Sequence, residues 1–286
     1  MGYLPQKLLE KKLISFIEED GNLGDITSRL IPNEHVKAHI IVKEAAILSG
    51  IDFCKTLCQL FQIQPHSKYL DGTPINKGDT VLEMRGLSRD ILLIERTALN
   101  LLMRLSGITT YTQSLVKMVK DAELTIKIAA TRKTTPGFRF FEKYAVEIGG
   151  GDTHRMNLSD TVLIKENHLK ISKDVNIDKI LQIAVEKTSF SKKIEIEVEN
   201  LKEFQIALAY KPDIIMLDDF SIDMIQKALK SLENLSIESR PLIEVSGGIS
   251  DNNLKKYLIN GIDIISIGSL THSVKSIDFS LNIIPE

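Results

Sequence analysis

The sequence has few cysteines, little net charge and no long apolar run, and each absence removes a class of protein. Its two cysteines, Cys54 and Cys58, lie in an apolar helical pattern without histidines at zinc-ligand spacing, so we expect them to pack in a core. A formal net charge of −2 over 286 residues excludes a chain built to coat nucleic acid, and any basic patch must be local. No apolar run approaches a membrane span, and residues 1–12 lack the apolar region of a signal peptide. The prediction is a cytoplasmic enzyme or binding protein that engages neither membrane nor nucleic acid.

After about residue 124, short apolar runs alternate regularly with helical patterns. The strand-like runs read TIKIA, TVLIK, KIEIEV, DIIMLD, PLIEVS and DIISIG. The helical runs read RFFEKYAVEIGG, IDKILQIAVEKT, LKEFQIALAYK, SIDMIQKALKSL and NNLKKYLING. Such alternation predicts a mostly parallel sheet covered by helices. Its form is either an α/β barrel of the triosephosphate isomerase kind, complete or incomplete, or an open doubly wound sheet.

The part before residue 124 is mixed in pattern. VKAHIIVK reads as a strand, GIDFCKTLCQLFQ as a helix, and the residues from Ser88 onward as a long helix buried on more than one side. The last residues, SIDFSLNII, read as one more strand that returns to the first part of the chain. The length suffices for one large domain or two modest ones.

Polar residues collect at the carboxyl ends of the predicted strands, where α/β barrels place their active sites. In strand order these are Thr131, Arg132 and Lys133; Lys165, Glu166, Asn167 and His168; Glu197 and Glu199; Asp218 and Asp219; Ser246, Gly247 and Gly248; and Gly268, Ser269, Thr271 and His272, with His154 and Arg155 between the first two strands. Cations bind carboxylate or phosphate oxygens, and carboxylates on consecutive strands, such as Glu197 and Asp218, can share Mg²⁺. Glycine-rich turns let backbone amides approach an anion. Together they predict a phosphorylated substrate with Mg²⁺ and a second, carboxylated substrate.

Each motif alone has a simpler interpretation. Adjacent Arg132 and Lys133 are typical of a solvated surface, and the alternating glutamates of KIEIEVEN are typical of the polar face of a half-exposed strand. SGG and GGG occur in ordinary loops, and His154 and His272 could be ordinary surface histidines. Their convergence on one rim of a barrel favours a binding site over these separate interpretations.

Several long motifs together resemble the quinolinate phosphoribosyltransferase family, also called nicotinate-nucleotide pyrophosphorylase (carboxylating). They run in the family's order from about residue 95 to the C-terminus: ERTALNLLMRLSGI, ATRKTTPGFR, EKYAVEIGGGDTHRMNLSDTVLIKENH, EIEVENL, IMLDDF, EVSGGI and ISIGSLTHS. The resemblance implies an N-terminal α/β sandwich domain, residues 1–106 rejoined by 274–286, and an irregular TIM-like α/β barrel, residues 107–273. It also implies a homodimer, sometimes assembled into a hexamer, with active sites shared between subunits.

The implied reaction transfers phosphoribosyl from phosphoribosyl pyrophosphate (PRPP) to quinolinate, requires Mg²⁺, and releases nicotinate mononucleotide, pyrophosphate and CO₂. For quinolinate, the resemblance implies a pocket of Arg132, Lys133, His154, Arg155 and Lys165, with Arg96 from the neighbouring subunit; Thr131 and Ile267 are further expected substrate-binding residues. For Mg²⁺ and the ribose hydroxyls it implies Glu197 and Asp218, and for the phosphates Ser246, Gly247, Gly248, Gly268, Ser269 and His272. Lys133, Lys165, Glu197 and Asp218 are the residues expected to act in catalysis.

The sequence departs from the family pattern in three places. DDF stands where Asp-Asn is frequent, KENH replaces Lys-Asp-Asn-His, and Asn157 stands where glycine is frequent. None of these changes removes a cation or a metal carboxylate. The alternatives are a nicotinate phosphoribosyltransferase-like enzyme, which binds a monocarboxylate and uses ATP, a related group associated with molybdenum transport, and a non-catalytic phosphoribosyl or anion-binding protein. The acidic pair, Glu197 and Asp218, favours an enzyme over a binding protein. A dicarboxylate is favoured over a monocarboxylate by five cations: Arg96, Arg132, Lys133, Arg155 and Lys165.

Overall fold

A computed structural model of the chain describes residues 4–21, 24–171, 176–233, 235–236 and 240–284. The helices in these residues are α1 (Gln6–Gly21), α2 (Ile51–Leu60), α3 (Ser88–Asp121), α4 (Arg139–Ile148), α5 (Glu166–Lys170), α6 (Ile177–Lys187), α7 (Leu201–Ala209), α8 (Ile222–Lys230) and α9 (Ser269–His272). The strands are β1 (His35–Val42), β2 (Ala46–Ile47), β3 (Gln64–His66), β4 (Pro74–Ile75), β5 (Thr80–Leu87), β6 (Lys127–Ala129), β7 (Val162–Ile164), β8 (Ile194–Val198), β9 (Ile214–Asp218), β10 (Leu242–Ser246), β11 (Ile264–Ser266) and β12 (Phe279–Ile284). Within these residues, no helix is long and apolar enough to cross a lipid bilayer.

The chain folds into two compact units, and both ends of the chain belong to the same one. The first unit contains Met1–Gln113, Phe140–Gly150 and Val274–Glu286, and the second contains Ser114–Arg139 and Gly151–Ser273. Helix α4 follows β6 along the chain, yet all of it except its first residue belongs to the first unit. The domain limits expected from the sequence, 1–106 with 274–286 and 107–273, stay a prediction.

The first unit is built around an antiparallel sheet with the strand order β12-β1-β5-β3. Strand β12 pairs with β1, and Phe279 lies opposite Val42. This pairing confirms that the last strand returns to the N-terminal part of the chain. Alternate residues of β1, namely Ala38, Ile40 and Val42, are fully buried, so one face of the sheet forms core.

Aromatic side chains explain why α4 belongs to the first unit. The Phe141 ring is fully buried, with its centroid 5.5 Å from the Phe16 ring of α1 and 5.0 Å from the Phe53 ring of α2. Beside it, the Arg104 guanidinium of α3 donates to the buried carboxylate of Glu142 at 2.8 Å. A strand-helix alternation in the sequence predicts the helix but not the unit in which its apolar face is buried.

The second unit is a parallel α/β structure with the strand order β6-β11-β10-β9-β8-β7. Helices α6, α7 and α8 link β7 to β8, β8 to β9 and β9 to β10, as the alternating pattern predicts. Strands β6 and β7 are the two ends of this order, and Asp152 extends the ladder next to β6 through its amide, which donates to the Ile128 carbonyl at 2.7 Å. The predicted irregular, barrel-like α/β fold is confirmed.

One predicted helix is replaced by turns. NNLKKYLING forms only a short 3-10 turn at Leu254–Tyr257. The Asn253 side chain accepts from the Ser250 amide at 2.8 Å and donates to the Gly248 carbonyl at 3.0 Å. These bonds join the segment to the preceding loop and compete with a regular helix, as asparagine side chains often do.

Candidate active site

A cavity of about 350 Å³ lies at the carboxyl ends of the parallel strands of the second unit. Its lining includes these predicted site residues: Thr131, Arg132, Lys133, His154, Arg155, Lys165, Glu197, Asp218 and Ser246. The other predicted residues of this unit lie in the segments that follow β10 and β11: Gly247, Gly248, Ile267, Gly268, Ser269 and His272. The fold therefore brings the cationic, acidic and glycine-rich segments to one end of the sheet.

The loop after β6 presents two adjacent cations and is fixed by two threonines. The Lys133 amide donates to Thr131 Oγ1 at 3.1 Å, and Thr271 Oγ1 donates to the Lys133 carbonyl at 2.8 Å. Arg132 is half-buried, and its Nε has no hydrogen-bond partner among the described residues. A buried N–H without a partner costs free energy, so the solvated-surface interpretation of Arg132 is wrong and its guanidinium is suited to a ligand oxygen.

Two neighbouring polar residues, Arg139 and His168, make hydrogen bonds to nearby loop and helix residues and do not line the cavity. Arg139 donates through Nε to Thr134 Oγ1 at 2.9 Å and through Nη1 to the Met156 carbonyl at 3.0 Å, and so joins the loop after β6 to the loop before β7. His168 accepts from the Lys165 amide at 2.9 Å through Nδ1, and so caps the start of α5. Neither residue lines the cavity.

Two carboxylates occupy the acidic side of the cavity. Glu197 of β8 bonds to Nζ of Lys165 through Oε2. The side chain of Asp218, at the end of β9, has no hydrogen bond or ion pair among the described residues. Burial raises the pKa of Asp218 above its ordinary value, and the charges of Glu197 and Asp219 add to this, while the two nearby lysines oppose it. Hard oxygen donors concentrated at one rim form the kind of donor set that a divalent cation prefers.

The glycines in the turns after β10 and β11 differ in what a side chain would meet at each position. Gly247 has a φ of +105°, and a Cβ there would lie 2.1 Å from Oδ1 of Asp219, so no side chain fits. Gly248 has a φ of +55° with open space where a Cβ would be. At Gly268, a Cβ would lie 2.9 Å from Nε2 of His272 and 3.0 Å from Cδ of Lys133. The absence of a side chain at Gly268 thus lets the Lys133 side chain pass directly over the turn after β11.

Around His154 lies a cluster of ionisable side chains, two of which, Glu195 and Glu244, the sequence interpretation missed; Glu244 also lines the cavity. Glu195 of β8 and Glu244 of β10 are fully buried. Nε2 of His154 lies 3.1 Å from Oε2 of Glu244 and 3.7 Å from Oε2 of Glu195. His154 has a left-handed backbone with a φ of 51°, which the bond from its amide to Asp152 Oδ1 at 2.7 Å stabilises.

Burial alone would lower the pKa of His154, but the carboxylates of Glu195 and Glu244 outweigh burial and raise it to about 10. Nδ1 of the ring accepts a hydrogen bond from the Arg155 amide at 2.8 Å, an interaction that favours the neutral ring. A ring protonated on both nitrogens would lose this bond, because Nδ1 would then carry a proton and could not accept from the Arg155 amide. In either protonation state, the proton on Nε2 faces the carboxylates.

The interpretation of KIEIEVEN as the polar face of a half-exposed strand is wrong for Glu195. Glu195 and Glu197 are two residues apart and therefore point to the same face of β8, and both are shielded, with relative side-chain exposures of 0% and 10%. The same spacing relates Glu244 to Ser246 on β10. A glutamate two residues before a cavity residue was the signal available in the sequence.

Arg96, the predicted contribution of a neighbouring subunit, lies on α3 in the first unit. Its side chain is exposed, and it has no hydrogen bond or ion pair within the part of the chain that the structure describes. It does not line the cavity. Its role stays a prediction.

An incomplete parallel α/β barrel whose rim combines cations, carboxylates and glycine turns defines a class of enzymes that act on small, multiply anionic molecules. Comparison with known proteins narrows this class. Residues 25–106 match the family model for the N-terminal domain of quinolinate phosphoribosyl transferase, and residues 108–282 match the model for its C-terminal domain. The chain belongs to the quinolinate phosphoribosyltransferase family.

Full-length relatives agree with this membership. The probable nicotinate-nucleotide pyrophosphorylase (carboxylating) of Methanocaldococcus jannaschii is 46% identical over 282 residues, which cover 97% of this chain and 96% of that protein. The solved structure of the nicotinate-nucleotide pyrophosphorylase from Francisella tularensis has a TM-score of 0.89 and 37% identity, covering 99% of this chain and 98% of that one. NadC from Streptococcus pyogenes has a TM-score of 0.88 and 35% identity, covering 100% of both chains.

Proposed function

We propose that this chain transfers phosphoribosyl from PRPP to quinolinate with decarboxylation, in the cavity at the carboxyl ends of β6 to β11. The products are nicotinate mononucleotide, pyrophosphate and CO₂, so the activity is that of a nicotinate-nucleotide pyrophosphorylase (carboxylating) in NAD biosynthesis. One observation carries the assignment of the cavity: four lysine and arginine cations and three carboxylates line one space of about 350 Å³. The cations are Arg132, Lys133, Arg155 and Lys165, and the carboxylates are Glu197, Asp218 and Glu244.

The cations suit a substrate with two carboxylates. Arg132 and Arg155 are close enough that the charge of Arg132, together with the larger effect of burial, lowers the pKa of Arg155. Two guanidinium groups held near one another repel, and a dianionic ligand relieves that repulsion. A monocarboxylate would leave part of this charge unpaired, which favours quinolinate over nicotinate.

The acidic side suits the ribose and Mg²⁺. Glu197 and Asp218 are hard oxygen donors, and the unpartnered Asp218 carboxylate is available to a cation. When bound, Mg²⁺ neutralises charge on the departing pyrophosphate. Lys165 holds Glu197 in place, and Lys133 passes over Gly268 toward the segment proposed to hold the phosphates, namely Ser246, Gly247, Gly248, Ile267, Gly268, Ser269 and His272.

The chemistry needs positioning and electrostatics more than a protein nucleophile. Pyrophosphate leaves C1 of the ribose with the bonding electrons, and the pyridine nitrogen of quinolinate forms the new bond to C1. The positive pyridinium nitrogen then accepts the electrons released when the adjacent carboxylate leaves as CO₂, and the ring carbon takes a proton. Alignment of the two substrates can supply a large part of the rate, and the cations act where charge changes.

We also propose a homodimer in which Arg96 of one copy completes the cationic pocket of the other. The exposed position of Arg96, without a partner among the described residues, supports this role. A solvated guanidinium on a helix surface can be paired by a second copy at little cost in desolvation.

A product assay tests the proposed function. Purified protein with PRPP and Mg²⁺ receives quinolinate in one arm and nicotinate in the other, each with and without ATP. We expect CO₂ and nicotinate mononucleotide from quinolinate without ATP. Turnover of nicotinate alone would instead identify a nicotinate phosphoribosyltransferase-like enzyme, and no turnover in any arm would favour a non-catalytic anion-binding protein.

A further inference from the structure

Glu195 and Glu244 are buried acids for which the proposed reaction has no use. Each lies two residues before a cavity residue of the same strand, Glu197 or Ser246, and so one layer deeper in the barrel-like unit, and Glu244 also lines the cavity itself. Branched apolar residues usually fill such layers. Three of their four carboxylate oxygens, both of Glu195 and Oε1 of Glu244, have no hydrogen-bond partner among the described residues. Burying carboxylate oxygens without hydrogen-bond partners costs free energy, and this cost indicates that the two glutamates have a functional role.

The groups above them are the His154–Arg155 pair. His154 Nε2 lies 3.1 Å from Glu244 and 3.7 Å from Glu195. The two carboxylates also raise the pKa of Arg155, against the larger effects of burial and of Arg132 that lower it. The carboxylates thus act on both members of the pair, by a direct bond to the ring and by charge on the guanidinium.

The pair separates two cavities and therefore lacks packing on two sides. His154 and Arg155 line the cavity at the carboxyl ends of the strands, and they also line a second cavity of about 510 Å³ near the amino ends, together with Glu195. Side chains between two cavities are not fixed by close packing, so directed polar contacts have to fix them.

A bound metal ion is the main competing explanation. Nε2 of His154 and one oxygen from each glutamate lie within 4.8 Å of one another, as they would around a metal. A metal at Nε2 requires the ring proton to be on Nδ1. Nδ1 instead accepts the Arg155 amide at 2.8 Å, so the ring is oriented to donate Nε2–H to the carboxylates.

We propose that Glu195 and Glu244 are positioning residues for quinolinate: they fix the His154 ring, and with it Arg155, at the floor of the dicarboxylate pocket. The proposal rests on the proposed function. It assigns the buried pair a selective effect on quinolinate, because PRPP is expected to bind on the other side of the cavity.

The test compares Glu244→Leu, which removes the acceptor, with Glu244→Gln, which keeps an acceptor and the shape. We expect Glu244→Leu to raise KM for quinolinate on the order of 10-fold, the effect of losing one charge-assisted hydrogen bond. KM for PRPP should change less than about twofold, and Glu244→Gln should recover a large part of the loss. Equal changes in both KM values, or none in either, would overturn the proposal.

Glu142→Gln is the matched control, because Glu142 is also a fully buried glutamate but pairs with Arg104 in the first unit. It should lower the melting temperature without a selective change in KM for quinolinate. A selective change in this control would show that the readout follows stability alone and would overturn the proposal. Turnover of quinolinate by the wild-type protein is measured first, so that failure of the proposed function is distinguished from failure of the positioning role.

A second measurement does not depend on activity. Nitrogen-15 NMR of the histidine rings, with the His154 signal assigned from a His154→Asn spectrum, should show a proton on Nε2 in the wild-type protein and an altered signal in Glu244→Leu. An unaltered ring signal, or one zinc ion per chain retained by the wild-type protein but not by Glu244→Leu, would overturn the proposal, the latter in favour of a metal site.

Discussion

Both units of the molecule bury glutamate, but they do so in opposite ways. In the first unit, Oε1 of Glu142 accepts two hydrogen bonds from Arg104, at 2.8 and 3.2 Å. In the second unit, Glu195 and Glu244 share one histidine ring, and three of their oxygens have no hydrogen-bond partner in the described part of the chain. A paired buried carboxylate is typical of structure, whereas under-satisfied acids beside a cavity indicate that stability was given up for function.

The largest expected effect comes from breaking the pair of Arg104 and the buried Glu142. Arg104→Met leaves the Glu142 carboxylate buried without its guanidinium, and we expect the free energy of unfolding to fall by about 3–5 kcal/mol. Denaturant titration followed by circular dichroism measures the loss. The double variant Arg104→Met/Glu142→Leu, which removes both charges, should recover a large part of it. Wild-type stability in the single variant would contradict the structural role assigned to this pair.

The next prediction concerns the cationic side of the second unit. Arg132→Ala should weaken quinolinate binding by about 1.5–3 kcal/mol, because we propose that the half-buried guanidinium makes a charge-assisted contact with a substrate carboxylate. Isothermal titration calorimetry measures the affinity. Arg89→Ala is the control, since this exposed arginine donates to the Ile31 carbonyl in the first unit. Unchanged quinolinate affinity in Arg132→Ala would remove Arg132 from the pocket.

A third prediction asks whether the two units contribute to one site through a second copy. Arg96→Ala alters the first unit, and Lys165→Ala alters the second, and each is expected to be inactive as a homodimer. If each pocket takes Arg96 from the partner, a mixed dimer has one site without either change. Because about half of the dimers are mixed after exchange, activity should return to about a quarter of the wild-type value. Mixtures as inactive as the separate variants would contradict a shared site.

The sequence predicts the fold of the second unit but not its buried cluster of His154, Glu195 and Glu244, and the reason is physical. Regular alternation of apolar strands and helices leaves few topologies, and motifs at strand ends converge because parallel strands end at one edge. Strand periodicity also puts Glu195 and Glu197 on the same face, but it does not tell whether that face meets solvent or the interior. The structure shows that in the sheet of β6 to β11 this face is interior at Glu195, which is fully buried.

The other differences also arise from contacts made across the sequence or outside regular patterns. Helix α4 reads as an ordinary crossover helix, but its buried Phe141 packs against Phe16 and Phe53 of the first unit. The expected helix after β10 is replaced because Asn253 bonds back to the preceding loop. In the first case tertiary contacts decided the unit to which a correctly predicted helix belongs, and in the second side-chain bonds to the backbone replaced the predicted helix.

The smallest expected effect is a pH profile that stays flat. The folded pKa of His154, about 10, lies above the ordinary value near 6.5, so the ring contributes stability that is fully present below pH 6.5 and is lost as the pH rises through 10. Between pH 6 and 8.5 the wild-type ring keeps its proton, and KM for quinolinate should vary less than about twofold. In Glu244→Leu one of the two facing carboxylates is gone, so the pKa of His154 falls. KM should then rise with pH across this range, while the profile for PRPP stays like that of the wild-type protein. If KM for quinolinate depended on pH in the same way in both proteins, Glu195 and Glu244 would not control the charge of the His154 ring.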